Sequence, residues 1–151
     1  MRILEKALFG AIFVSMPLSV VQPVAAETLP HRAENQVPVA IVQVKRPAEH
    51  TEIHLQAQAA LTKVCFAASG LNSPYLLAAG RNYRYLGGDN VTACPERRDY
   101  GAGDIMVLRF EPLATGSSTF SFVSGQGGEK QPIDVVSPTT PYWNFLRVRL
   151  D

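Results

Sequence analysis

The 151-residue chain is poor in the residues that usually mark a catalytic or metal centre. It has two cysteines, Cys65 and Cys94, and three histidines, His31, His50 and His54. There is no Cys-x-x-Cys, and every histidine precedes both cysteines, so no zinc-type ligand spacing emerges. There is no His-Glu-x-x-His and no serine-centred nucleophile elbow, which removes the usual signatures of a metalloprotease and an α/β-hydrolase. Neither sign of charge dominates: 14 Lys and Arg stand against 13 Asp and Glu. A chain so balanced lacks the positive field of a nucleic-acid binder and the basic cluster of a membrane-surface binder. Long apolar runs are also missing. The run from Ala7 to Val21 is about 15 residues, short of the ~20 a spanning helix needs. With 11 prolines and 11 glycines spread along the chain, long helices are disfavoured too.

The short apolar run has another use. Arg2 and Lys6 precede it, and "PVAAET" follows, with Val24 and Ala26 as the small residues before a cut at Glu27. These are the parts of a secretory signal peptide over 1–26. The expected organisation is a signal peptide at 1–26, a flexible leader at 27–36 and one β-domain at 37–151, with no membrane span after cleavage. Removing Arg2, Lys6 and Glu5 leaves a formally neutral chain. Export exposes Cys65 and Cys94 to an oxidising compartment, where a lone pair is expected to bridge. A reactive thiol with a histidine base and a metal site are the other readings.

Short β-type segments separated by turn residues fill the rest. They fall at 37–46, 50–59, 62–69, 75–78, 81–86, 104–113, 119–125 and 142–150. The second alternates, with His50, Glu52, His54, Gln56 and Gln58 on one side and Thr51, Ile53, Leu55, Ala57 and Ala59 on the other. That period of two marks a strand with one wet face, and helix is the rival reading because Gln, Ala and Leu favour helices. In the last, Leu146, Val148 and Leu150 share a face opposite Phe145, Arg147 and Arg149. "GGDN" at 87–90 and the glycine-rich stretch at 125–132 read as turns. Seven or eight strands at such spacing predict an all-β antiparallel sandwich or barrel.

Several pieces together resemble uncharacterised exported bacterial modules of the Ig-like β-sandwich type. They are Gly80, Tyr83 and Leu86 in "GRNYRYL", Phe110, Pro112 and Leu113, Phe120, Phe122 and Gly125, and Phe145, Val148 and Leu150. The first piece departs from the pattern by one residue, and the bridge is not part of it. The match runs over about residues 72–150. The resemblance implies an antiparallel Ig-like β-sandwich of about seven to eight strands, here with one disulfide. It carries over no catalytic residue, and fold alone does not assign a function.

Three residue sets are candidates for chemistry. Arg81, Arg84 and Tyr85 precede the Cys94 loop, and Glu96, Arg97, Arg98 and Tyr100 follow the cysteine. Arginine and tyrosine dominate binding hot spots, and a bridge to Cys65 brings this set toward one partner-binding patch. Its plainer reading is surface arginines packed on tyrosine rings. His50, Glu52 and His54 offer three metal ligands on one strand face, against the plainer reading of a solvated face. Trp143 beside Tyr142 is either core or a sugar-stacking platform. The expected function is an exported, non-catalytic binding module of the bacterial envelope, periplasmic or secreted, with a protein partner and no cofactor. The alternatives are an inhibitor of a secreted hydrolase (a protease or lysozyme), with "NVTACPERRDY" as its loop, and a small polysaccharide-active enzyme.

Overall fold

A computed structural model describes residues 31–32, 38–124 and 143–150, the first two by backbone alone. The signal segment and its cut, the rest of the leader and the turn at 125–132 lie outside the described residues. The described strands, in chain order, are β1 (His31–Arg32), β2 (Val39–Lys45), β3 (Thr51–Ala57), β4 (Leu61–Val64), β5 (Tyr75–Ala78), β6 (Arg81–Asp89), β7 (Arg98–Tyr100), β8 (Ile105–Phe110), β9 (Thr119–Val123) and β10 (Asn144–Arg149). No helix occurs among the described residues. Every paired strand runs antiparallel to its neighbour.

All eight expected strands are present. Two more appear: β1, inside the expected leader, and β7, inside the Cys94 loop. β4 and β7 pair with each other, and the other eight form one sheet in the order β1-β2-β3-β8-β6-β5-β9-β10. The strand that makes this order possible is β6. Its first half, Arg81–Arg84, pairs with β5, while Tyr85–Asp89 pairs with β8. A bulge between Tyr85 and Gly87 marks the handover, with Gly87 at φ 99°, a conformation open to glycine without strain. The expected turn at Gly87-Gly88 is therefore the continuation of a strand. The sheet curls about this joint until Cα atoms of β1 and β10 approach within 8 Å.

The period of two decides what faces inward. On β3, Thr51, Ile53, Leu55 and Ala57 are buried while Glu52, His54 and Gln56 are half-buried; Ala59 lies past the strand end and is exposed. On β8, Met106, Leu108 and Phe110 point to the same interior. Thr51 is polar yet fully buried, and its Oγ1 accepts from the Leu113 amide at 3.0 Å, which offsets the desolvation. On β10 simple alternation fails. A bulge between Phe145 and Val148, with Arg147 at φ 53°, puts both of those residues into the core. Phe145 therefore does not oppose Val148, as strict alternation has it, because the extra residue resets the face.

Six aromatic rings link the interior. Trp143 meets Phe66 edge-on at 5.7 Å, Phe66 meets Tyr85 at 6.3 Å, and Tyr85 meets Phe110 at 5.6 Å. Phe110 meets Phe122 at 5.8 Å, and Phe122 meets Phe145 at 5.6 Å. Tilted and edge-on pairs at such separations are the favoured geometries. The rings tie the β8 side of the joint to the β9–β10 side, and their Trp143 end rests on Phe66, just past β4.

Candidate functional site

Cys65 and Cys94 are bridged, with their Cα atoms 5.1 Å apart, and neither is a free thiol. The bridge is one of several ties at this place. The Phe66 amide donates to the Thr92 carbonyl at 2.9 Å, and the Cys94 amide donates to the Phe66 carbonyl at 3.1 Å. Beyond the cysteines, β4 and β7 pair through Leu61 with Tyr100 and Val64 with Arg98. A bulge separates those pairs, and within it Lys63 takes φ 56°. Left-handed backbone is costly for lysine, and it persists where neighbours over-determine it. Here the Lys63 amide donates to Asp99 Oδ1 at 2.8 Å, and its carbonyl accepts from Arg97 Nη1 at 3.3 Å. Asp99 and Arg97 thus hold both backbone groups of the strained residue.

This ledge forms one wall of a cleft of about 620 Å³. Its apolar lining includes Leu61, Phe66 and Trp143, each less than a tenth exposed, with Pro38 and Pro74 beside them. Both bridged cysteines line it as well. The charged side chains among its described lining are Lys63 and Arg97, both cations. Apolar walls with a few placed polar groups are what ligand sites generally show, in the size range of about 300–1,000 Å³.

The arginine and tyrosine candidates divide by depth. Tyr85 and Tyr100 are core residues, 7% and 2% exposed. Burial pushes the Tyr85 phenol up to about 12, with Tyr100 nearby adding to the shift. Burial also raises Tyr100, whose hydroxyl donates to the Asn90 carbonyl at 2.9 Å. The arginines lie outside these rings with separate partners. Arg98 stacks on Tyr100 at 5.4 Å, Arg81 on Tyr83 at 4.9 Å, and Arg84 pairs with Glu111 at 3.5 Å. Arg97 alone of the set lines the large cleft. Arg84 and Tyr85 line a second hollow of about 520 Å³, beside Leu86. Glu96, Arg97 and Arg98 are all exposed.

The His50, Glu52 and His54 side chains do come together, on the outer face of β3. Glu52 accepts from His50 Nε2 at 3.0 Å and from His54 Nε2 at 3.3 Å. Arg109, its cross-strand neighbour on β8, donates to the same carboxylate at 3.3 Å and also pairs with Asp89 on β6. These partners hold the Glu52 carboxyl down at about 2, the His50 hydrogen bond first; partial burial opposes them. Among the described residues, no group of three or more His, Cys, Asp or Glu is arranged to hold a metal ion. The carboxylate serves instead as the hub of an ion-pair network running across three strands.

Arg109 and Asp89 were not legible as part of this network, nor was Lys63 as part of the cleft. The one available signal was parity: Arg109 falls on the outward side of β8 once Met106, Leu108 and Phe110 are turned inward. Lys63 had no such signal, because a bulge sets its direction.

No protein-family model, no curated protein and no solved structure matches this chain.

Proposed function

We propose that the protein is an exported, non-catalytic binding module of a bacterial envelope, periplasmic or secreted, that holds a protein partner at the bridged cleft. The observation that carries this reading is the cleft itself: an apolar floor under two cations, on a wall fixed by a disulfide and a strand pair. A wall tied at so many points loses little freedom when a partner docks, so more of the contact energy appears as affinity. Export through the segment at 1–26 belongs to the same reading, and the bridge is consistent with it. No helix among the described residues is long and apolar enough to cross a membrane. An Ig-like sandwich is the finer form of the fold in this proposal. Support comes from the Phe110–Phe122 ring contact between strands on either side of the β6 joint.

A second reading, inhibition of a secreted hydrolase, draws on Glu96, Arg97 and Arg98. These three exposed residues run from the bridge into the first residue of β7, as a loop offered to a target's active-site cleft would.

The test is capture from envelope extract with the exported chain, comparing wild type with the double variant Arg97→Ala, Arg98→Ala. The double variant is expected to lose about 1–2 kcal/mol, from the Arg97 bond to the Lys63 carbonyl and the Arg98 stack on Tyr100, and to stay folded. Partner recovery is expected to fall at least about tenfold. Unchanged recovery removes this ledge as the binding face, and inhibition of a purified protease or lysozyme moves the function to the second reading.

A further inference from the structure

Resting on that reading, we infer that the partner enters the cleft as an extended peptide strand, laid along β4 at Leu61–Val64, with a carboxylate side chain between apolar residues. Three observations lead there. The first is the shape of the wall. Eight consecutive residues, Ala60 to Ala67, line the cleft. The strand within it, β4 at Leu61–Val64, is about 13 Å long at about 3.3 Å per residue, a straight edge rather than a round pocket.

The second is the state of the wall's backbone. β4 has one strand neighbour, β7. Lys63 spends its amide on Asp99 and its carbonyl on Arg97, and Phe66 uses both groups on the Cys94 loop. Among the described residues, Thr62, Val64 and Cys65 make no backbone hydrogen bond outside the β7 ladder. A strand edge of this kind is a template for an added strand, with main-chain hydrogen bonds supplying affinity and side-chain pockets supplying selectivity.

The third is charge. Lys63 and Arg97 are the charged side chains of the described lining, and no carboxylate is among them to neutralise them. The Arg97 bond to the Lys63 carbonyl holds the guanidinium against the part of the wall that carries Lys63. Two cations over an apolar floor select an acidic residue flanked by Val, Ile or Phe and penalise a basic one, because like charge in a partly dry site is costly. Arg97 is the stronger selector, since its planar fork pairs with a carboxylate through two hydrogen bonds.

The experiment titrates isotope-labelled exported chain with blocked peptides Thr-Val-Asp-Val-Thr and their Asn and Lys counterparts, followed by amide resonances. The Asp peptide is expected to bind at least about tenfold more tightly than the Lys peptide. The perturbed amides should run through Thr62, Val64 and Cys65 and become protected from exchange. In Lys63→Gln, Arg97→Gln the preference should collapse while the spectrum stays that of the folded, bridged protein. Equal affinity for the Asp and Lys peptides overturns the inference. So does dodecanoate binding at the same wall in preference to any peptide, which assigns the cleft to an amphiphile. Peptide binding that appears only after residues 129–137 are replaced by glycine and serine also overturns it, because the chain's own segment is then the occupant. If no peptide binds while an envelope partner is still captured through Arg97, the strand-addition inference fails and the binding-module reading stands.

Discussion

Replacing Gly88 by alanine is predicted to be among the most damaging single-methyl additions in the sheet. A Cβ built at Gly88 falls far inside contact distance of the Val107 carbonyl oxygen, 3.0 Å from the Val107 carbonyl carbon and 3.2 Å from the Leu108 Cα. All three atoms are backbone, so no side chain can turn away to make room. β6 must move off β8 at the place where Gly87, Gly88 and Asp89 pair with Arg109, Leu108 and Val107. The move sacrifices about two ladder hydrogen bonds at roughly 1 kcal/mol each and loosens the Asp89–Arg109 pair. The expected loss is about 2–4 kcal/mol, a large share of the ~5–15 kcal/mol a domain of this kind has. Two neighbouring cases calibrate it. Gly87 has open space at its Cβ but φ 99°, so Gly87→Ala should cost about 1–2 kcal/mol through backbone strain alone. Gly116 has open space and no positive φ, so Gly116→Ala should be neutral within about 0.5 kcal/mol or slightly stabilising. Urea unfolding at fixed pH, with m-values compared across the three, is the assay. A Gly88→Ala protein no less stable than Gly87→Ala refutes the β6–β8 register.

Three other outcomes follow from the same structure. Cys94→Ala, which opens a bridge spanning 29 residues, should lower stability by roughly 3–4 kcal/mol in the chain-entropy model. Wild type should show no titratable thiol under denaturing, non-reducing conditions, and a loss below about 1 kcal/mol contradicts the role given to the bridge. Glu52 titrates at about 2 in the folded protein against an ordinary value of 4.5, so the unfolded chain binds its proton first as pH falls. Its contribution to stability is therefore complete above about 4.5 and drains away toward about 2; urea midpoints for wild type should fall through that window, and those of Glu52→Gln should fall less. Tyr85 works at the other end of the scale. Its folded phenol is pushed up to about 12 from 10.0, so stability should decline as pH rises through that interval, and Tyr85→Phe should flatten the decline in an alkaline unfolding series.

A feature of this fold is legible in the sequence to the extent that it is local. The alternation through Thr51, Ile53 and Leu55 marks β3 because side-chain parity is a property of the strand alone. The Cys65–Cys94 bridge is equally legible, since two cysteines leave one pairing within the chain. What escapes is whatever depends on a distant partner. Gly87 and Gly88 look like a chain break but pair with β8, where glycine is needed because the neighbouring backbone comes too close for a side chain. Arg98–Tyr100 has the composition of a loop and becomes a strand because the bridge brings β4 alongside it. Phe145 changes face because of a bulge that no periodicity announces. The candidate site follows the same rule. Arg97 was legible as an exposed residue beside the bridge, whereas Lys63, Phe66 and Trp143 join it only through non-local packing.

On the proposed function, a partner sits in the cleft walled by β4 and the Cys65–Cys94 bridge. The most direct measurement is photo-cross-linking in envelope extract from a benzophenone side chain placed at Thr62, which is exposed and lines the cleft, and separately at Lys45, exposed on the outer face of β2. One discrete cross-linked partner is expected from position 62, none from position 45, and the product should be lost when Lys63→Glu and Arg97→Glu are added. A partner captured equally from both positions, or from position 45 alone, contradicts it.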